Sequence, residues 1–261
     1  MIGAPYHRAL LAVADEATRR SLGRPGRLLQ GRAEVRRYKQ HRELVDRYGI
    51  DARTVLYIGA NEGQDLRVLR AAYPRAAVHC FEPQRDVLAR LRSVAAAMPD
   101  VHVHGCALGA TTRTMTMARS LNHHESSSLR RPSTEMAARF PHVGDWVDEP
   151  VPVTTLDEWA STQAITDDVV VKMDVQGFED EVIAGGGAVF SRARIVMTEL
   201  AVIPTYEDAP DWRRILDAFL ERGYVYAGEM DRIYQAETGA VIEFDAAFVR
   251  PAVGGDGVRA R

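Results

Sequence analysis

The run Thr54-Val55-Leu56-Tyr57-Ile58-Gly59-Ala60-Asn61-Glu62-Gly63 constrains this chain more than any other segment, because a short apolar strand breaks directly into a turn carrying two glycines. A second apolar run, Val78-His79-Cys80-Phe81, follows and ends in Glu82-Pro83. An apolar strand, a glycine turn, a helix-like stretch and a second strand closing on a carboxylate form the spacing of a nucleotide-binding βαβ unit. Gly59 and Gly63 let the backbone turn sharply and approach a ligand without an intervening Cβ, and Glu82 can accept two hydrogen bonds from a ribose diol.

Both NAD and S-adenosylmethionine present such a diol. A pyrophosphate over the turn favours Gly-x-Gly-x-x-Gly at a helix N-terminus. Here the spacing is Gly-x-x-x-Gly, with Asn61 at the middle-glycine position and Gln64 where a close-packing glycine would stand. The segment favours adenosylmethionine, with an NAD-type oxidoreductase as the rival reading. Tyr57, Gly59, Asn61, Glu62, Gly63, Glu82, Pro83, Cys106 and Ala107 are the expected cofactor contacts.

From Thr54 onward strand-like and helix-like runs alternate: 55–58, 64–72, 77–81, 85–98 and 101–107, then 169–174, 194–199, 212–222 and two last strand-like runs at 224–227 and 247–250. This predicts an α/β fold, a mostly parallel sheet with helices on both faces and an antiparallel final pair. Thr155-Leu156-Asp157-Glu158 is a capping box that starts a helix. The polar stretch at about 119–149 reads as a structureless insertion over the site. Residues 1–50 read as a helical extension, with ten basic residues against three acidic ones from Arg19 to Arg47, expected to face the acceptor entrance or a partner subunit. The domain proper is placed at 51–250, and 251–261 reads as a disordered tail.

A formal net charge of −3 gives no global attraction to nucleic acid or membrane. Two cysteines, both in apolar runs, argue against a disulfide framework and fit a cytoplasmic protein. No run has the ~18 apolar residues that span a bilayer.

The order of the motifs resembles the FkbM-type methyltransferases, a branch of the class I adenosylmethionine-dependent enzymes. The matching pieces are Ile58-Gly59-Ala60-Asn61-Glu62-Gly63, Phe81-Glu82-Pro83, Ala107-Leu108-Gly109, Ser127-Ser128-Leu129, Val153-Thr154-Thr155-Leu156-Asp157, Lys172-Met173-Asp174-Val175-Gln176-Gly177-Phe178-Glu179 and Glu199. The resemblance implies a Rossmann-like sheet with a final antiparallel strand, adenosylmethionine as donor and a hydroxyl as acceptor. The family pattern usually has Asp where this chain has Tyr57, which leaves the methionine ammonium to Glu62 or to backbone carbonyls.

An alcohol acceptor needs its proton removed as the methyl arrives. Asp174 and Glu199 both end strand-like runs, and on adjacent strands they could hold Mg²⁺ to stabilise the developing alkoxide. Without a metal, Asp174 or one of His123 and His124 would act as base, and Lys172, on the same strand face as Asp174, would act on the acceptor. The polar insertion favours a small carbohydrate acceptor. RNA methylation is disfavoured, since neither an Asn/Asp-Pro-Pro-Tyr/Phe run nor a Pro-Cys nucleophile occurs. A non-catalytic cofactor-binding protein is the third reading, and a homo-oligomer is compatible with all of them.

Overall fold

A computed structural model describes residues 31–165, 168–236 and 238–251. The expected helix before Gly23, four of the ten basic residues (Arg19, Arg20, Arg24 and Arg27) and the tail beyond Pro251 lie outside the described residues.

Seven strands form one sheet: β1 (Thr54–Ile58), β2 (Ala77–Phe81), β3 (Val101–His104), β7 (Val169–Met173), β8 (Ala193–Ala201), β9 (Val225–Tyr234) and β10 (Val241–Val249), in the order β3-β2-β1-β7-β8-β10-β9. From β1 the chain winds out to β3 on one side, then crosses back to β7 beside β1 and winds out on the other side, so the carboxyl ends of β1 and β7 flank a switch point where ligands bind in such sheets. β1 and β7 are buried along their whole length, as strands covered on both faces must be. The expected final pair is longer than its apolar runs, because β9 alternates partly exposed residues on an outer edge. β10 runs antiparallel to both β8 and β9.

On one face α1 (Arg32–Tyr48), α2 (Leu66–Ala72) and α3 (Arg85–Ala96) cover Val55, Tyr57, Val78 and Met197. On the other, α5 (Leu156–Ser161), α6 (Glu179–Ala184), α7 (Gly187–Arg192) and α8 (Trp212–Glu221) cover Leu56, Phe81, Val171 and Phe248. The Thr155 side chain caps α5 by accepting from the Glu158 N–H, one half of the expected capping box, while the Glu158 carboxylate accepts from the Thr112 and Thr154 hydroxyls instead.

Two expectations are corrected. The described part of the basic extension is built into the core: α1 buries Val35, Tyr38, His41, Leu44 and Val45 at helical spacing and ends on Gly49, whose left-handed φ of 61° lets its N–H reach the Val45 carbonyl. Two of its basic residues reach other elements as well, Arg36 pairing with Asp231 and Arg37 with Asp65. At ~1.5–3 kcal/mol per buried aliphatic side chain, deleting residues 1–48 is expected to unfold the domain, which a thermal melt followed by circular dichroism would show.

The polar stretch is not structureless. β5 (Arg113–Ser120) and β6 (Trp146–Thr154) pair antiparallel across it, β6 starting well before its apolar part, and β4 (Ala107–Leu108) joins β6 in a three-stranded sheet. Between them α4 (Thr134–Arg139) is capped by Ser133, and Met136, Val143 and Tyr206 form a small core of their own.

Candidate functional site

The β1 turn is shaped by backbone contact. Gly59 has φ 76°, and a Cβ there would lie 1.7 Å from the Asp174 carbonyl oxygen, so the turns after β1 and β7 touch directly. The Asp174 N–H donates to the Ile58 carbonyl at 3.0 Å, and the N–H groups of Gly59 and Ala60 both reach the Phe81 carbonyl. Three strand ends are thereby held together around one opening.

That opening is a cavity of about 1000 Å³. Of the expected cofactor contacts, Tyr57, Gly59, Asn61, Glu82, Pro83 and Ala107 line it. Glu62 instead turns to an ion pair with Arg90, Gly63 packs against Leu91 and Leu66, and Cys106 is half-buried off the wall, its thiol pushed up to about 11 by burial.

Glu82 is almost fully buried, and each of its carboxylate oxygens accepts one backbone N–H at 2.8 Å, from Asn61 and from Gln84. A carboxylate has about four acceptor positions, which leaves two for a diol. Burial pushes its pKa to about 7 against the opposing pull of those N–H groups. Nearby, Asn61 Oδ1 and Gln84 Oε1 are buried without a partner among the described residues, and both residues line the cavity. Unpaired buried acceptors call for a donor-bearing ligand, so the wall fits the hydroxyls and amines of an adenosyl group.

A pH dependence follows from the Glu82 carboxyl. A diol donates to the ionised form, so adenosylmethionine affinity is expected to rise about tenfold from pH 6 to pH 8 as this proton is lost. In Glu82→Gln the affinity should be roughly ten- to hundredfold lower, a loss of about 1.5–3 kcal/mol, and nearly flat with pH. Titration calorimetry at both pH values checks this, and a pH slope that survives the substitution would remove Glu82 from the diol.

β7 and β8 are adjacent and parallel, with Met173 opposite Thr198, which brings Asp174 beside Glu199 as expected. Both line the cavity. A side-chain amide stands between them, where the metal reading would place a cation. The Gln176 carboxamide donates from Nε2 to Asp174 Oδ1 at 2.8 Å and reaches Glu199 Oε2 at 3.4 Å. An N–H donor pointing at both carboxylates is not a cation's ligand set, and among the described residues no three His, Cys, Asp or Glu side chains are grouped to hold a metal. Glu199 is raised well above the usual carboxylate range by burial and by Glu243 and Asp174, so a proton relieves the crowding of acids here.

Lys172 shares a strand face with Asp174 but does not reach the cavity wall. Its Nζ lies 3.4 Å from Asp65, 3.8 Å from Asp174 and 5.6 Å from the Tyr57 ring centroid. Burial opposes its charge, yet Asp65 and Asp174 raise its pKa well above the ordinary lysine value. It is therefore a fixed counter-charge beneath the site, and Tyr57, at the usual Asp position, offers it an aromatic face.

His123 and His124 do line the cavity. His123 Nδ1 is 3.0 Å from Ser126 Oγ, and His124 Nδ1 is buried without a partner among the described residues. Sequence reasoning gave no role to Gln176, Gln84 or Tyr206. Gln84 stands two residues after Glu82 and could have been suspected. Tyr206 carries no local signal.

The chain matches the Methyltransferase FkbM domain family over residues 58–226. It is 30% identical over 189 residues to the 2-O-methyltransferase NoeI of Sinorhizobium fredii (strain NBRC 101917 / NGR234), covering 69% of this chain and 76% of that protein. Among solved structures it is similar to the magnesium protoporphyrin IX methyltransferase ChlM of Synechocystis PCC 6803 (TM-score 0.44, 12% identity, 83% of this chain and 79% of that one). A further similar structure is the precorrin-6y C5,15-methyltransferase of Geobacter metallireducens GS-15 (TM-score 0.42, 10% identity, 81% and 88%).

Proposed function

The chain belongs to the FkbM methyltransferase family, and from that premise we propose that it uses adenosylmethionine to methylate a hydroxyl oxygen of a small carbohydrate. The observation that carries the proposal is the placement of Asp174 on the wall of the cavity that also presents Glu82, with His123 and His124 facing the same space. Bound adenosylmethionine supplies a methyl group on a positively charged sulfur that leaves without further activation.

The chain's own residues then have three tasks. Glu82 holds the ribose diol, supported by the Asn61 and Gln84 N–H groups that orient its two oxygens. Asp174 receives the acceptor's proton, held in place by Gln176 and balanced by the Lys172 ammonium. His124 Nδ1 and the polar groups around it bind the acceptor's other hydroxyls. Oxygen as the acceptor atom is also what the name of the similar 2-O-methyltransferase states for that protein. Nucleic acid is a poorer reading, because Arg36 and Arg37 at the cavity mouth are paired with Asp231 and Asp65.

No helix among the described residues is long and apolar enough to cross a membrane. The test is transfer of tritiated methyl from adenosylmethionine to a panel of methyl hexosides and 6-deoxyhexosides. Turnover of at least one, with the label recovered as a methyl ether, is expected. Labelling of RNA with no hexoside turned over would reverse the assignment. Turnover should also survive EDTA, given the carboxamide between Asp174 and Glu199. Loss on chelation that Mg²⁺ restores would reinstate the metal.

A further inference from the structure

We infer that Gln176 is a positioning residue for Asp174, and that it ties the orientation of this carboxylate to the insertion that closes the acceptor side. The inference rests on the proposed role of Asp174 in proton removal.

Gln176 adopts φ 55°, an uncommon left-handed conformation for a residue with a side chain, immediately before Gly177 at φ 87°. This conformation turns the carboxamide back toward the strand ends and does not let it continue into α6. Every polar atom of the side chain is then engaged. Nε2 donates to Asp174 Oδ1 and reaches Glu199. Oε1 lies 2.9 Å from the Tyr206 hydroxyl, which is also 2.7 Å from the Ser126 carbonyl. The two acids take the donor end of the amide, so its acceptor end faces the Tyr206 hydroxyl, whose single proton is shared between Gln176 Oε1 and the Ser126 carbonyl.

The backbone is held as well, since the Gln176 carbonyl accepts from Ser128 Oγ at 2.7 Å. Ser126 and Ser128 belong to the segment that carries His123 and His124. Asp174 is thus linked through Gln176 and Tyr206 to the segment facing the acceptor. Lys172 faces Asp174 Oδ2 at 3.8 Å, too far for a hydrogen bond to fix the carboxylate, and proton transfer requires an oxygen held at the acceptor. Glu199 gains a partner from the same amide, which keeps two neighbouring acids from sharing a proton directly.

The test uses the full chain, tritiated adenosylmethionine and the hexoside turned over fastest in the panel. Gln176→Ala should lower kcat about ten- to hundredfold, the scale of a lost hydrogen bond to a charged group, while adenosylmethionine Kd stays within twofold. Tyr206→Phe should lower kcat severalfold by itself and have no further effect in the Gln176→Ala background. Only a shared path gives that non-additivity, because two independent structural losses would add. A crystal of Gln176→Ala should show the Asp174 carboxylate in more than one rotamer.

Wild-type kcat in Gln176→Ala beside an inactive Asp174→Asn overturns the inference alone, as do additive effects of the two substitutions. Full activity of Asp174→Asn overturns the role of Asp174 and this inference with it. Should Gln176→Ala fail to fold, Tyr206→Phe and Gln176→Met carry the test. The methionine approximates the length but has no donor, and wild-type kcat in it would equally overturn the inference.

Discussion

Asparagine in place of Asp174 is expected to lower methyl transfer by about 10²–10⁴-fold, the range of a lost general base, while adenosylmethionine affinity changes by no more than a few fold. The substitution keeps the side chain's shape, and its Oδ1 can still accept from Gln176 Nε2, so the turn after β7 should stay in place. What disappears is the group proposed to take the proton. Glu82, the proposed donor contact, ends β2, two strands away in the order β2-β1-β7. At about 4.8 Å per strand spacing the two carboxylates act on different parts of the site. Single-turnover labelling together with calorimetry separates the two effects. Undiminished transfer would move the proton acceptor to His123 or His124, and loss of donor binding would place Asp174 at the wrong end of the cavity.

Alanine at Gly59 is the second large effect, and it acts on the scaffold. The added Cβ would meet the Asp174 carbonyl oxygen at 1.7 Å and its carbon at 2.8 Å. Both atoms are backbone and neither can rotate aside, so β1 and β7 would have to part at the point where the two halves of the site meet. Overpacking costs about 1–3 kcal/mol and a left-handed alanine about 1–2 more, or roughly 2–5 kcal/mol in all. For a domain of this size that lowers Tm by roughly 4–20 °C. Gly49 supplies the control. Its φ is 61° with nothing within 4 Å of the added carbon, so Gly49→Ala should show the backbone cost alone. Equal melting shifts for the two variants would mean that the contact with Asp174 is relieved cheaply.

The two glycines of the opening motif also show how far sequence reasoning reaches. Both were expected to admit a ligand to the backbone. Gly63 packs on Leu91, and Gly59, though on the cavity wall, is required by the neighbouring strand. Local sequence shows that a position must lack a side chain, but for Gly59 the atom that demands it lies more than a hundred residues away, on Asp174. The helix at 32–48 is a parallel case. Its charge made it read as an arm facing the acceptor entrance or a partner subunit, whereas its buried face is a stripe of five residues, and Arg36 and Arg37 beside them pair with Asp231 and Asp65 of this same domain.

Sequence alone determined the alternation of strands and helices, the strand-end positions of Glu82, Asp174 and Glu199, and membership in a methyltransferase family. These are properties of local periodicity and motif order, which the chain carries wherever it is read. Tertiary structure decided which side chains meet. It buried Lys172 between Asp65 and Asp174, sent Glu62 to Arg90, folded the polar stretch into paired strands and set the Gln176 amide between two carboxylates with Tyr206 behind it. Each of these contacts joins parts of the chain whose distance from one another is set only when the sheet has formed. A carboxylate's partner, and with it the choice between metal ligand and base, is fixed by which donor comes within about 3 Å, and no spacing along the sequence encodes that.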